Sequence, residues 1–364
     1  MFVYQKQDWS DFKWDSDRIV PLLGNARHLQ GKLLGQMESL GFSLKEEAVL
    51  TTLTLDVLKS TEIEGEILNK DQVRSSIARK LGITVNGIVA SSRNVDGVVE
   101  MMLDATQHYD SPLTKKRLLG WHAALFPTGY SGIYKIEVGK YRTGDMQVVS
   151  GAMGKEKIHY EAPKPNLVES EMANFLDWLN NGYISIDPVL KAAIAHFWFI
   201  TIHPFDDGNG RIARAITDML LARSDNTSQK FYSVSNQILE ERKVYYDILE
   251  KTQRGDGDIT NWLLWFLSCL EKALINTEKI LESTIVKAKF WEQHSQTSLN
   301  NRQRIMLNKL LDGFDGKLTS SKWAKITKTS PDTALRDIQD LISKGILQKE
   351  AQGGRSTNYE LLGI

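Results

Sequence analysis

The stretch His203-Pro204-Phe205-Asp206-Asp207-Gly208-Asn209-Gly210-Arg211-Ile212-Ala213-Arg214 decides the fold, because it is a short loop caught between two helical patterns. Before it, Asp187 to Ile202 reads as a buried helix. Asp187 suits the N-cap and Pro188 the first helical position, and His196, Phe197, Trp198 and Phe199 make the run apolar on nearly every face. After it, Ile212, Ala215, Ile216, Met219 and Leu220 recur at helical spacing. The motif is therefore the loop between two core helices and the first turn of the second.

The residue types add chemistry to that placement. Gly208-Asn209-Gly210 lets the backbone turn with its N–H groups aimed one way, and such a nest at a helix N-terminus binds anions. Arg211 and Arg214 are three apart, so they share a helix face and can grip phosphate oxygens with several donors each. Asp207 puts a hard oxygen ligand beside the anion site, as Mg²⁺ on a polyphosphate requires. His203 lies just outside the nest, with an ordinary pKa of about 6.5 suited to taking a proton from a hydroxyl. Base, metal ligand and phosphate cradle point to nucleotidyl or phosphoryl transfer. A glycine-capped turn serving structure alone does not need all of these types together. A P-loop is excluded, because no Gly-Lys-Ser/Thr ending and no preceding strand are present.

The stretch resembles the signature of the Fic family, His-Pro-Phe-x-Asp/Glu-Gly-Asn-Gly-Arg-x-x-Arg, at every fixed position. The resemblance implies a mainly α fold, a Fic-type helical core with a β-hairpin flap, and transfer of AMP from ATP to a protein hydroxyl. It makes His203 the general base toward a Ser, Thr or Tyr, and Asp207 the Mg²⁺ site. Asn209 and the amides of Gly208 and Gly210 hold the α-phosphate, and Arg211 and Arg214 hold the β- and γ-phosphates. It also places Tyr246, Leu249 and Gln253 around the adenine.

Upstream, a helix from about Lys45 to Lys59 runs into Ser60-Thr61-Glu62-Ile63-Glu64-Gly65-Glu66. Ser60, Glu64 and Gly65 resemble the family's inhibitory motif, which makes Glu64 a partner for Arg214. A carboxylate there competes with phosphate for the same donors and repels ATP. Gly139-Lys140-Tyr141-Arg142 leads into Met146-Gln147-Val148-Val149-Ser150, a glycine-rich turn and Lys157-Ile158-His159-Tyr160, a hairpin signal. It resembles the family's flap, whose edge (Met146, Gln147, Val148, Val149) accepts a target loop as an added strand.

The remainder is organised around this core. Residues 1–110 read as an N-terminal helical region: an arm with Trp9, Phe12 and Trp14, then a long amphipathic helix from Ile19 to Leu40. Residues 111–270 form the catalytic core, with the flap at about 140–162. Pro163-Lys164-Pro165 reads as a short linker. Residues 271–298 are a helical connector, and 299–364 resemble a winged helix-turn-helix. DNA binding there would draw on Lys328, Arg336 and Arg355, while Asp337 and Asp340 would repel phosphate.

Composition sets bounds. The 364 residues hold 45 Lys+Arg and 45 Asp+Glu, which argues against bulk attraction to nucleic acid or anionic membrane. The single cysteine, Cys269, cannot form an internal disulfide, and no stretch reaches about 20 apolar residues. The expected setting is soluble, reducing and cytoplasmic, with ATP and Mg²⁺, no membrane, and a protein target or the chain itself as acceptor. A homodimer fits the helical faces. Two other readings stand beside AMP transfer: removal of AMP by the same site, and a DNA-bound nucleotide sensor.

Overall fold

The computed structural model describes residues 2–38, 42–85, 87–150, 157–181, 186–311, 313–314, 316–350 and 357–363. It divides into two compact units, 1–277 and 278–364.

The first unit begins with a 3-10 turn, Val3–Gln5, then α1 (Ser16–Glu38), α2 (Phe42–Ile63), α3 (Lys70–Leu81), α4 (Arg93–Gln107) and α5 (Lys115–Leu125). Two hairpins follow, β1 (Tyr130–Ser131) with β2 (Tyr134–Lys135) and β3 (Gln147–Ser150) with β4 (Lys157–Glu161). Then come α6 (Pro165–Asn181), α7 (Pro188–Ile202), α8 (Asn209–Asp225), α9 (Val234–Glu240) and α10 (Arg242–Gln253). The helix α11 (Thr260–Gln293) starts in this unit and ends in the second. No helix among the described residues is long and apolar enough to cross a membrane.

Helices α7 and α8 are the centre of the unit, as the apolar patterns require. The Asp187 carboxylate accepts the Val189 N–H at 2.8 Å and Pro188 occupies the first turn. From Val189 to Ile202 every α7 residue except Lys191 is buried. Around this pair pack α2, α4 and α6. Helix α2 runs unbroken through Ser60, Thr61 and Glu62, so the upstream motif is the last turn of a 22-residue helix and the following Gly65 turn. Pro165 begins α6 rather than ending a linker, because proline suits a first turn whose N–H has no acceptor. The arm lies on its own chain: Trp9 and Phe12 meet Trp198 edge-on, and Phe2 meets Tyr160.

Helices α4 and α5 approach closely at Gly97. A methyl group there would lie 1.8 Å from the Ala124 carbonyl oxygen. Gly97→Ala should therefore cost on the order of 3 kcal/mol, since backbone on both sides must separate. A thermal melt checks this; a midpoint within about 1 °C of the parent would refute the close approach.

The second unit holds α12 (Asn301–Leu311), α13 (Ser320–Thr327), α14 (Pro331–Ser343) and the antiparallel pair β5 (Leu347–Lys349) and β6 (Tyr359–Leu361), with Leu318 bridging to Tyr359. Trp323, Met306, Ile338 and Leu341 form its core. Asp337 is buried and pairs with Arg302 at 2.7 Å, and the half-exposed Asp340 accepts from Gln303 and Lys344. Lys328 and Arg336 are exposed, while Arg355 lies outside the described residues.

Candidate active site

The site grows from the turn between α7 and α8. His203 ends α7 in the left-handed region (φ 52°, ψ 60°), its N–H donating to Phe199 O. That conformation costs a residue with a Cβ about 1 kcal/mol or more, so its surroundings must hold it. It folds the ring back so that Nδ1 lies 3.2 Å from Ile200 O. A proton on Nδ1 satisfies that carbonyl and leaves Nε2 as a free acceptor. Burial pushes the imidazole down to about 4, against the opposing pull of the Ile200 carbonyl. The ring is therefore neutral at pH 7 and able to accept a proton.

Gly208 then turns through φ 83° and α8 begins. Its first intrahelical bond is Ile212 N–H to Gly208 O, so the amides of Asn209, Gly210 and Arg211 precede the ladder and point out of the helix end. The side chain of Asn209 turns inward instead. Its oxygen accepts the Phe205 N–H at 3.0 Å and its amide donates to Phe205 O at 2.8 Å. The side chain of Asn209 thus fastens the loop, while its backbone N–H stands at the helix end.

Both arginines are buried, Arg214 to 2% exposure. Arg214 donates from Nε to the Ser60 hydroxyl at 2.9 Å, and from Nη2 to Ser60 O and to Glu64 Oε1, both at 2.7 Å. Burial works against its charge, and Glu64 with the neighbouring Tyr245 and Tyr246 more than restores it. Glu64 also sits over the cradle itself: a methyl group on Gly210 would lie 2.0 Å from its Oε1. Arg211 stacks on Phe126 and donates to Glu66 at 3.2 Å. Arg211 Nε and Arg214 Nη1 are buried without a hydrogen-bond partner among the described residues. Unsatisfied cationic donors of this kind call for an anion.

Asp207 is half-exposed at the mouth of the cradle. One oxygen accepts the Gly208 N–H at 2.5 Å and the other accepts from the Ser131 hydroxyl of β1. Arg211 Nη2 stands 4.0 Å away. A single hard carboxylate beside an anion cradle fits Mg²⁺ that is carried mainly by phosphate and water.

Behind Arg214 a polar chain crosses the core. Thr217 donates to Ala213 O, which leaves its oxygen to accept from His196 Nδ1, while His196 Nε2 accepts the Tyr245 hydroxyl; all three distances are 2.9 Å. Burial lowers His196 to about 3. Tyr246 beside it is 39% exposed, and Leu249 and Gln253 are buried on the same helix.

The flap pairs Gln147 with Glu161, Val148 with Tyr160 and Val149 with Ile158, with an irregularity that skips His159. Strand β4 is pinned to the core. Tyr160 donates its hydroxyl to Thr201 O, His159 meets Glu250 at 2.6 Å, and Arg254 donates to the carbonyls of Ile158 and His159. Strand β3 has no third strand among the described residues, and Val149 is 47% exposed.

Residues 112–221, from the entry to α5 through most of α8, match the Fic/DOC family. The chain carries a Fic domain. Residues 2–83 match a domain of unknown function, DUF4172. The chain is similar to a protein adenylyltransferase fic-1 of Caenorhabditis briggsae, 35% identical over 213 residues, covering 56% of this chain and 38% of the relative. It is also similar to a protein adenylyltransferase Fic of Drosophila willistoni, 28% identical over 220 residues, covering 60% and 40%. The match thus spans about two-fifths of these relatives' length. In fold it is similar to the crystal structure of a Fic family protein from Desulfovibrio desulfuricans G20, with TM-score 0.56, 21% identity and coverage of 95% and 96%.

Three contacts of this Fic site were not singled out in the sequence: Glu66 on Arg211, Ser131 on Asp207 and Arg142 on His203. Each joins residues far apart in sequence, Glu66 and Arg211 by 145 positions.

Proposed function

We propose that the chain is an autoinhibited protein adenylyltransferase. The observation that carries the reading is Glu64 on Arg214, with its carboxylate over Gly210 where an anion belongs. Once that carboxylate leaves, the amides of Asn209, Gly210 and Arg211 and the two guanidiniums would take the triphosphate. His203 Nε2 would accept the proton of a target Ser, Thr or Tyr hydroxyl. The hydroxyl oxygen would attack the α-phosphorus, forming a phosphodiester, and the bond to the β-phosphate would break to release pyrophosphate. Asp207 would hold Mg²⁺, which when bound offsets phosphate charge. The relatives' shared name, protein adenylyltransferase, supports AMP as the transferred group.

The deciding assay is transfer from ATP labelled on the α-phosphate, with Mg²⁺ and a lysate as acceptor, comparing the parent, Glu64→Gly and Glu64→Gly/His203→Ala. Label in the single variant alone is the expected result. Absence of label throughout, with ATP still bound, would overturn the reading.

The open edge of β3 supports docking of the target as an added strand. Replacing Val148 and Val149 together by aspartate in the Glu64→Gly chain should slow transfer to a protein acceptor about tenfold. ATP affinity should hold. Equal losses in both would remove the docking role.

A further inference from the structure

Arg142 is a buried cation with an unusual set of partners. It is 2% exposed, and no carboxylate pairs with it among the described residues. It meets backbone carbonyls instead. Nε donates to His203 O at 2.8 Å, Nη1 to Gly144 O at 2.9 Å and Nη2 to Pro163 O at 2.5 Å. Its own backbone N–H donates to Pro204 O at 2.9 Å. Gly144 and Pro163 stand at the two feet of the flap, just outside the pair Ala162 N–H to Met146 O. One side chain therefore ties both feet of the hairpin to the backbone of His203.

We propose that Arg142 is a positioning residue: it holds His203 in its left-handed backbone conformation, and so sets the ring tautomer, while fixing the flap relative to the base. The proposal rests on the adenylyltransferase reading for its kinetic consequence. The geometry links the steps. Arg142 and its amide anchor two successive carbonyls, of His203 and Pro204, which fixes the turn. The turn brings Nδ1 onto Ile200 O, and that contact leaves Nε2 as the acceptor. The three carbonyls each take a different nitrogen of the planar guanidinium, a spread that the single nitrogen of a lysine cannot reproduce.

The test uses the full chain carrying Glu64→Gly, with ¹⁵N-labelled histidine and the His203 signal located by its loss in His203→Gln. Without further change the ring should be a single Nδ1-protonated tautomer. Adding Arg142→Lys should mix the two tautomers and lower the transfer rate to a protein acceptor roughly 30-fold or more, with ATP affinity within about threefold. An unchanged tautomer in Arg142→Lys would overturn the proposal whatever happens to transfer, since any loss would then come from the fold or the flap. Tyr160→Phe removes a different tether of the flap, the bond to Thr201 O. It should leave the tautomer alone, and an equal disturbance there would also overturn the proposal. Should Arg142→Lys fail to fold, solvent exchange of the Arg142 Nε–H in the unmutated chain decides: slow exchange supports the bond to His203 O and fast exchange refutes it. If the Glu64→Gly chain transfers nothing at all, the functional reading falls, and the tautomer comparison still answers for Arg142.

Discussion

Replacing Glu64 with glycine should raise transfer of labelled AMP by about 100-fold. The size follows from what Glu64 occupies. It takes a charged donor of Arg214 at 2.7 Å and fills the space against the Gly210 Cα. A hydrogen bond between charged groups contributes about 1.5–3 kcal/mol, and each 1.4 kcal/mol is tenfold in rate. Freed, Arg214 keeps two contacts to Ser60, through its hydroxyl and its carbonyl, so its guanidinium stays placed at the cradle. The gain should appear in nucleotide affinity as well as in rate, because the carboxylate and a phosphate compete for one space. Glu66→Ala should give a smaller gain, since Glu66 is more exposed and its contact with Arg211 is longer, at 3.2 Å. Initial rates with the single and double variants check both. A Glu64→Gly chain no faster than the parent, with its fold intact, would remove the inhibitory role.

His203→Ala in that activated background should lower transfer by about 10³-fold and leave ATP binding within a few-fold, because a positioned general base contributes about 10²–10⁴. The pH profile carries the sign. The base works when neutral, and burial lowers its imidazole to about 4. The neutral form is thus complete above that value and is lost as pH falls through it. The acid limb of kcat/KM should therefore lie near pH 4 and not at the ordinary 6.5 or so. A limb at 6.5 that vanishes in His203→Ala would show the ring to be far better solvated than its packing implies.

The helix, turn and helix around 203–214 were legible because their determinants are local: Asp187 and Pro188 start α7, Gly208 turns the chain, and apolar spacing continues α8. Glu64 was legible through resemblance, since its partner is 150 residues away. Glu66, Arg142 and Ser131 meet their partners across 145, 61 and 76 residues, and nothing in their own neighbourhoods names those partners. Asn209 shows the converse limit. Its place in the motif implied a ligand contact, and the motif gave no sign that its side chain also closes the loop on the Phe205 backbone.

The unbroken course of α2 has a consequence for what the site can sense. Two turns before Glu64, the buried Asp56 pairs with Lys230 at 2.5 Å, and Lys230 also meets Asp218 of the motif helix. Seven residues of helix, about 10 Å, run from that anchor to Ile63, the residue before Glu64. A carboxylate on such a rod stays at a high effective concentration beside the cradle, so cellular swings in ATP should hardly displace it. Small displacements of the rod, or melting of its last turn, should displace it readily. On the proposed function, the site should respond less to the abundance of nucleotide than to force or contact applied along one helix.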